Sequence, residues 1–403
     1  MPRVSDRGVV LNQSPIRSLI PHARTAKARG IEVLHLNIGQ PDIHTPPQGL
    51  DIIRQDDTTI VSYGPSEGLP ALRSAVCQYY SKYTSGLSQE DVYVTTGASE
   101  AIQFALMTTC NEGDEIIVPE PFYANYIGFA QACSVTIVPA TTTLEEQFSL
   151  PSPEVFAKLI TAKTKAIFLC NPGNPTGKLY DREELASILS MARQHDLFVI
   201  VDEVYKEFCY DLSFTSCLSF DQYADRVVVI DSVSKLFSAC GARVGFLITR
   251  NEAIKAAVIK YAQLRLCPPY HGQILAQSCY ELGGEYIVQA VAEYRKRRQI
   301  LHEGLAQIPG LKSYLPDAAF YNVVELPVEN TMDFCRWLLA EYDHEGKTVM
   351  LAPAAGFYHN QELGRRQVRI AYVLNGDRLR AALNILSHAL EAYASRHQSV
   401  ALG

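Results

Sequence analysis

The residues able to do chemistry are spread along the middle of the chain, and one lysine stands at their centre. Lys235 lies in D-S-V-S-K-L-F-S-A-C-G-A-R-V-G, Asp231 to Gly245. Apolar runs precede it from Arg226 to Ile230 and follow it from Val244 to Ile248. The lysine therefore belongs to a tight turn leaving a strand buried on both faces. Such shelter strips water from an ammonium group and favours the neutral, nucleophilic amine. Ser232, Ser234 and Arg243 beside it suit a phosphate, because a guanidinium can meet two of its oxygens at once. A lone lysine in a turn is most often a solvated surface group. Its company argues otherwise.

Gly97-Ala98-Ser99 follows the short strand D-V-Y-V-T and opens a helix, so free backbone N–H groups and the helix dipole converge on one anion site. Two commoner phosphate motifs are excluded. The chain has no G-x-G-x-x-G, and N-P-G-N-P-T-G-K has too few residues between Gly173 and Gly177, with Leu179 where a P-loop needs Ser or Thr. Asp202 closes the apolar run F-V-I-V, where a carboxylate needs a cation or a donor. Tyr205 follows within reach of the same space. Tyr123, after P-E-P-F, offers a flat aromatic face, and Asn174 places an amide in a stiff loop between Gly173 and Pro175. Singly these are a capping aspartate, a core tyrosine and a turn asparagine. Together they offer a phosphate cradle, an aromatic face, a buried carboxylate, a phenol, an amide and an amine. Pyridoxal phosphate needs that set: the lysine makes a Schiff base, and the aspartate keeps the ring nitrogen protonated.

These groups must be held by strand ends. Asp91–Thr95, Glu115–Val118, Ala166–Cys170, Leu197–Val201 and Arg226–Ile230 each read as a strand, and each opens into one of the polar strings above. Helical stretches such as Ala101–Met107 and Arg182–His195 separate most of them. The alternation implies a mostly parallel sheet with helices on both faces, whose ligands bind beyond the carboxyl ends of the strands. Upstream, Ser14-Pro15 reads as the cap of a short helix, Val33–Ile38 as a strand ending in G-Q-P-D, and Leu69–Tyr80 as a helix. Downstream come a helix at Glu252–Tyr261, a long helical region at about Gly272–Gln307, and an α+β remainder. That remainder has strands near Ala319–Glu325 and Gln367–Tyr372, and helices near Thr331–Tyr342 and Asp377–Arg396.

The 403 residues suit a large domain plus a smaller one, and 47% hydrophobic with 20% charged residues is ordinary globular composition. A net charge of −7 argues against a general nucleic-acid binder. Ten scattered cysteines without a C-x-x-C pair fit free thiols better than disulfides or a metal site. The first thirty residues lack the apolar core of a signal peptide, and no apolar run approaches the ~20 residues of a membrane helix. A cytoplasmic protein is expected, with no metal, nucleic-acid or membrane partner.

The strings N-I-G-Q-P-D, Y-G-P-S-E-G-L-P-A-L-R, T-T-G-A-S-E-A, N-P-G-N-P-T-G, V-D-E-V-Y, S-V-S-K-L-F-S-A-C-G-A-R-V-G and V-R-I-A-Y occur in this order. In them the chain resembles the class I/II aminotransferases of the fold-type I pyridoxal-phosphate family, over nearly all its length. The resemblance implies an α/β large domain over 46–285 and a small α+β domain from 1–45 and 286–403. It implies pyridoxal 5'-phosphate on Lys235, with Asp202 on the ring nitrogen, Tyr205 and Asn174 on the phenolic oxygen, and Tyr123 stacked on the ring. Ala98, Ser99, Ser232 and Arg243 would hold the phosphate. Tyr63 would reach the phosphate of a neighbouring subunit, which implies a homodimer with shared sites. Arg369, assisted by Gly39 and Asn174, would grip the α-carboxylate. The expected reaction moves an amino group from an L-amino acid to a 2-oxo acid, with aspartate and 2-oxoglutarate as the first choice. Aromatic and alanine-type donors stay open, because no string fixes a group for a distal carboxylate. A C–S β-lyase would share the fold and the early chemistry. A pyridoxal-binding regulator would need an added DNA-binding domain, for which there is no room before the first motif.

Overall fold

The computed structural model describes residues 2–5, 8, 9, 11 and 17–401, with side chains as far as 396. Ser14 and Pro15, expected to cap the first helix, lie outside the described residues. The first long helix runs Ile20–Ala28 and is followed by a short strand, β1 (Glu32–His35). Next come β2 (Val92–Thr95), β3 (Glu115–Glu120), β4 (Thr136–Thr141), β5 (Thr164–Cys170), β6 (Phe198–Asp202), β7 (Val227–Ser232) and β8 (Gly245–Ile248). Among the described residues these last seven form one sheet, in the order β2–β8–β7–β6–β5–β3–β4. β8 runs antiparallel to both of its neighbours, and the remaining pairs are parallel. The central strands are apolar on both faces because helices cover both: Val199 and Val201 enter one core cluster, Ile200 the opposite one. This is the mixed α/β architecture expected from the alternating pattern.

The parallel register aligns the carboxyl ends. Asp202 stands level with Cys170 on β5 and with Ile230 on β7, so polar residues just beyond these strands share one edge of the sheet. β4 was not foreseen. Thr136, Pro139 and Thr141 blur its apolar signal, which an edge strand tolerates.

The last part of the chain adds β9 (Tyr321–Glu325), β10 (Lys347–Met350), β11 (Ala352–Pro353) and β12 (Gln367–Ala371). β12 lies between β11 and β9, antiparallel to both. β10 pairs in parallel with β1, Glu32 opposite Lys347. One core cluster therefore joins both ends of the chain, with Leu34 and Leu36 packed among residues such as Phe320, Leu338, Val349, Ile370 and Leu386. The long helical region expected at Gly272–Gln307 is two helices, Tyr270–Leu282 and Gly284–Ala306. They part at Gly283, where a Cβ would stand 2.8 Å from the Phe237 ring and 2.3 Å from the Cys279 carbonyl oxygen. No helix among the described residues is long and apolar enough to cross a membrane.

Candidate active site

β7 ends at Ser232, whose hydroxyl accepts from the Ser234 N–H at 2.9 Å and so caps a single helical turn, Val233–Leu236. That turn lifts Lys235 from the sheet edge into a cavity of about 420 Å³. Its Nζ donates to the Gly39 carbonyl at 2.7 Å, from the loop that follows β1. Gly39 must lack a side chain, because a Cβ would stand 1.7 Å from the Tyr321 hydroxyl.

At the next strand end, Asp202 is buried and accepts from the Tyr126 hydroxyl at 2.7 Å and from the Val204 N–H at 3.3 Å. Burial pushes its carboxyl up to about 6. The bonds from Tyr126 and Val204 oppose that shift, Asp231 adds to it, and Lys235 weakly opposes it. Among the described residues Asp202 has no ion-pair partner, so a cationic group in the cavity would meet a carboxylate prepared for it. Tyr123 packs edge-on against Tyr126 at 5.4 Å between ring centres, and its hydroxyl accepts from Asn125 at 2.8 Å. The Tyr205 hydroxyl lies 2.9 Å from that of Tyr321.

On the other side of Lys235, Ala98 and Ser99 open the helix Gly97–Thr109, with the backbone at Gly97 left-handed at φ 73°. A Cβ there would stand 2.4 Å from the Arg243 guanidinium, which lies across the helix start. Gly245 on β8 approaches equally closely, since its Cβ would meet the Gly97 carbonyl carbon at 2.3 Å. The two glycines let a strand, a helix start and an arginine converge. Free N–H groups, the Ser232 and Ser234 hydroxyls and Arg243 border the same end of the cavity, a donor set that fits a phosphate.

Arg369, on β12, enters from the opposite wall and is 2% exposed. It donates to Asn174 Oδ1 at 3.0 Å and to the Asn37 carbonyl at 2.6 Å, over the faces of Tyr321 and Phe357. Its Nε has no hydrogen-bond partner among the described residues, a donor left for an anion. Lys235, Arg243, Arg369 and Arg17 face the cavity against Asp202, the single acid lining it among the described residues, so it draws anions.

Lys235, Asp202, Tyr205, Asn174, Tyr123, Ala98, Ser99, Ser232, Arg243, Gly39 and Arg369 all border this cavity. Tyr63 does not; it is 80% exposed on the surface. Sequence reasoning missed Tyr126, Tyr321, Asn37 and Arg17. Tyr126 lies three residues after Tyr123, but its helix, Asn125–Ala132, reads as ordinary core, so the spacing alone does not single it out. Tyr321, Asn37 and Arg17 arrive from distant segments and carry no local signal.

The profile of the family described as aminotransferase class I and II matches residues 31–384. The aspartate aminotransferase of Thermotoga maritima is 31% identical over 388 residues, covering 95% of this chain and 98% of that protein. The solved alanine aminotransferase of Pyrococcus furiosus superposes with a TM-score of 0.88 at 29% identity, covering 97% of this chain and 100% of that one. The aspartate aminotransferase of Thermus thermophilus, solved with maleate, superposes with a TM-score of 0.85 at 26% identity, over 96% and 100%.

Proposed function

This chain belongs to the class I and II aminotransferases, and from that premise we propose that it carries pyridoxal 5'-phosphate on Lys235 and transfers the amino group of L-aspartate to 2-oxoglutarate. The observation that carries this reading is the pairing, in one cavity, of an amine at a strand end with a buried carboxylate that has no ion-pair partner among the described residues. The cofactor, when bound, supplies an aldehyde for amines and a sink for the electrons left when a Cα proton departs.

The rest is work for the chain's own residues. Asp202 holds the proton on the ring nitrogen, and Tyr126 and the Val204 N–H keep its carboxylate turned toward the cavity. Tyr205 and Asn174 donate toward the ring oxygen, and Tyr123 covers the ring face. Ala98, Ser99, Ser232 and Arg243 hold the phosphate. Arg369 takes the substrate's α-carboxylate as a bidentate fork, with its Asn174 partner and Gly39 alongside, and so fixes Cα beside Lys235. The Lys235 amine would then take the Cα proton and return one to the cofactor's former aldehyde carbon, on the other side of the nitrogen, acting as base and acid in turn.

Arg17 supports a dicarboxylic donor. It borders the cavity near Tyr123 and has no ion-pair partner among the described residues, so it is free to take a second carboxylate. The dicarboxylate maleate bound to the Thermus enzyme and the name of the Thermotoga relative point the same way. The exposure of Tyr63 supports a homodimer in which this tyrosine completes the partner's phosphate site. The same reading divides the chain into a large domain, 46–285, and a small one, 1–45 with 286–403. The core cluster shared by the two chain ends supports that division. A cytoplasmic location fits the free thiols.

The test is a panel of amino donors with 2-oxoglutarate, beside Lys235→Ala. Aspartate should lead the panel, and borohydride should fix pyridoxal phosphate to the native chain and not to the variant. Release of pyruvate and ammonia from cysteine conjugates without an acceptor would make the chain a lyase. Fixation to the Ala variant would remove Lys235 from the reaction.

A further inference from the structure

Directly behind the cavity, on the opposite face of the sheet, lies a second charged layer that the reaction above does not use. β7 alternates, so Ile230 faces one core while Asp231 faces the other, where it is fully buried. Lys206 follows Tyr205 in the turn after β6 and is 1% exposed in its side chain. Its Nζ lies 2.5 Å from Asp231 Oδ2, which also accepts from the Tyr80 hydroxyl at 2.9 Å. The ammonium sits 5.2 Å from the ring centres of both Tyr79 and Tyr80. Asp231 Oδ1 has no partner among the described residues.

Such a pair is an expensive way to hold a core together, because apolar residues of the same volume often do it as well. Its position suggests another use. Lys206 is anchored by the turn that carries Asp202 and Tyr205, and Asp231 by the strand end that carries Ser232 and Lys235. We propose that Lys206 and Asp231 are positioning residues: their buried ion pair fastens these two strand ends together and balances the charge felt by Asp202 and Lys235. The inference rests on the roles given above to those two residues.

The neighbours of the pair leave it the main charge in that layer. Glu203 is buried, accepts from Ser216 and the Cys217 N–H, and is pushed up to about 8 by burial, which favours its neutral form. Glu207 is satisfied by Tyr79, Tyr83 and an ion pair with Lys82. Tyr79, Tyr80, Tyr83 and Tyr280 are all held neutral, chiefly by burial. Asp231 adds to the upward push on Asp202, and Lys206 is the cation paired with Asp231.

The experiment is a pH titration of the visible absorbance of the protein with pyridoxal phosphate bound, in the native chain, Lys206→Met, Asp231→Asn and the double variant. Lys206→Met leaves a buried negative charge, favours protons nearby and should move the midpoint up by about half a pH unit or more. Asp231→Asn leaves a positive charge and should move it down. The double variant should lie between them and melt near the native temperature, because a neutral pair replaces the ion pair. Shifts of both single variants in one direction, or lowered melting with an unmoved midpoint, would mean that the pair is only structural and overturn the proposal. If a single variant does not fold, Tyr80→Phe substitutes for it. Removing one donor from Asp231 should move the midpoint up, and an unmoved midpoint there also overturns the proposal. A native chain without visible absorbance would instead overturn the cofactor reading.

Discussion

Asp202→Asn should make the cofactor-free protein more stable and the enzyme slower. Burial moves the Asp202 carboxyl from an ordinary 3.8 up to about 6, so the folded chain holds that proton more tightly than the unfolded chain does. The stability that Asp202 contributes is therefore full below pH 3.8 and is lost as the pH rises through about 6. A shift of this size corresponds to about 3 kcal/mol by neutral pH. Asparagine escapes the loss and keeps the contacts. Its Oδ1 can accept from the Val204 N–H, and its amide can donate to the Tyr126 hydroxyl, which turns to accept. Urea unfolding of both apoproteins should show almost no difference near about pH 4 and a gap of about 3 kcal/mol in favour of the variant near about pH 8. With pyridoxal phosphate bound the order should reverse, and amino-group transfer in the variant should fall by on the order of a hundredfold or more. A gap that stays flat with pH, or a native apoprotein that is the more stable at about pH 8, would refute the picture of a desolvated carboxylate awaiting a cation.

Arg369→Lys should weaken binding of every amino donor by a similar factor, about 2–3 kcal/mol for a charged hydrogen-bonded pair, as read from titrations with aspartate, alanine and an aromatic donor. Arg17→Gln should weaken only dicarboxylic donors, by up to about fivefold; equal loss for alanine would remove Arg17 from side-chain recognition. Mixing Tyr63→Phe with Lys235→Ala should yield heterodimers with one intact site, detected as a native-like fraction of pyridoxal phosphate affinity. If Tyr63 served its own subunit, no site in those heterodimers would be intact.

Asp202 was legible because it closes an apolar strand, where polarity has no cheap explanation, and Lys235 and Asn174 because they lie in turns just beyond strand ends. Arg369 and Tyr63 came from the resemblance alone: R in V-R-I reads locally as a strand residue with a solvated face. Tyr126 was hidden by its own setting, since N-Y-I-G-F-A looks like any core helix and only the folded chain aims its hydroxyl at Asp202. Arg17, Asn37 and Tyr321 could not be read at all, because their place depends on how remote segments pack. The fold shows the same division. β5, β6 and β7 are continuous apolar runs and were plain, whereas β4 is diluted by Pro139 and two threonines, and two-residue β11 is shorter than any periodicity. Asp231 illustrates the hardest case: it sits within the motif around Lys235, yet nothing in the string says that it faces away from the cavity.

The pairing of β1 with β10 sets a timetable for biosynthesis. A ribosome releases residues 92–248 long before Lys347 exists, so the seven-stranded sheet can close while β1 still lacks its partner. Until β10 and β12 emerge, the core that takes Leu34 and Leu36 is incomplete, and the edge of β1 is open to other chains. The cavity is consequently built in two instalments. The wall bearing Asp202, Ser232 and Lys235 comes with the sheet. The wall bearing Arg369, and the loop whose Gly39 carbonyl meets the lysine, must wait for both ends of the polypeptide to find each other. A nascent chain stalled before β12 would carry the cradle for a phosphate without the arginine that grips a substrate.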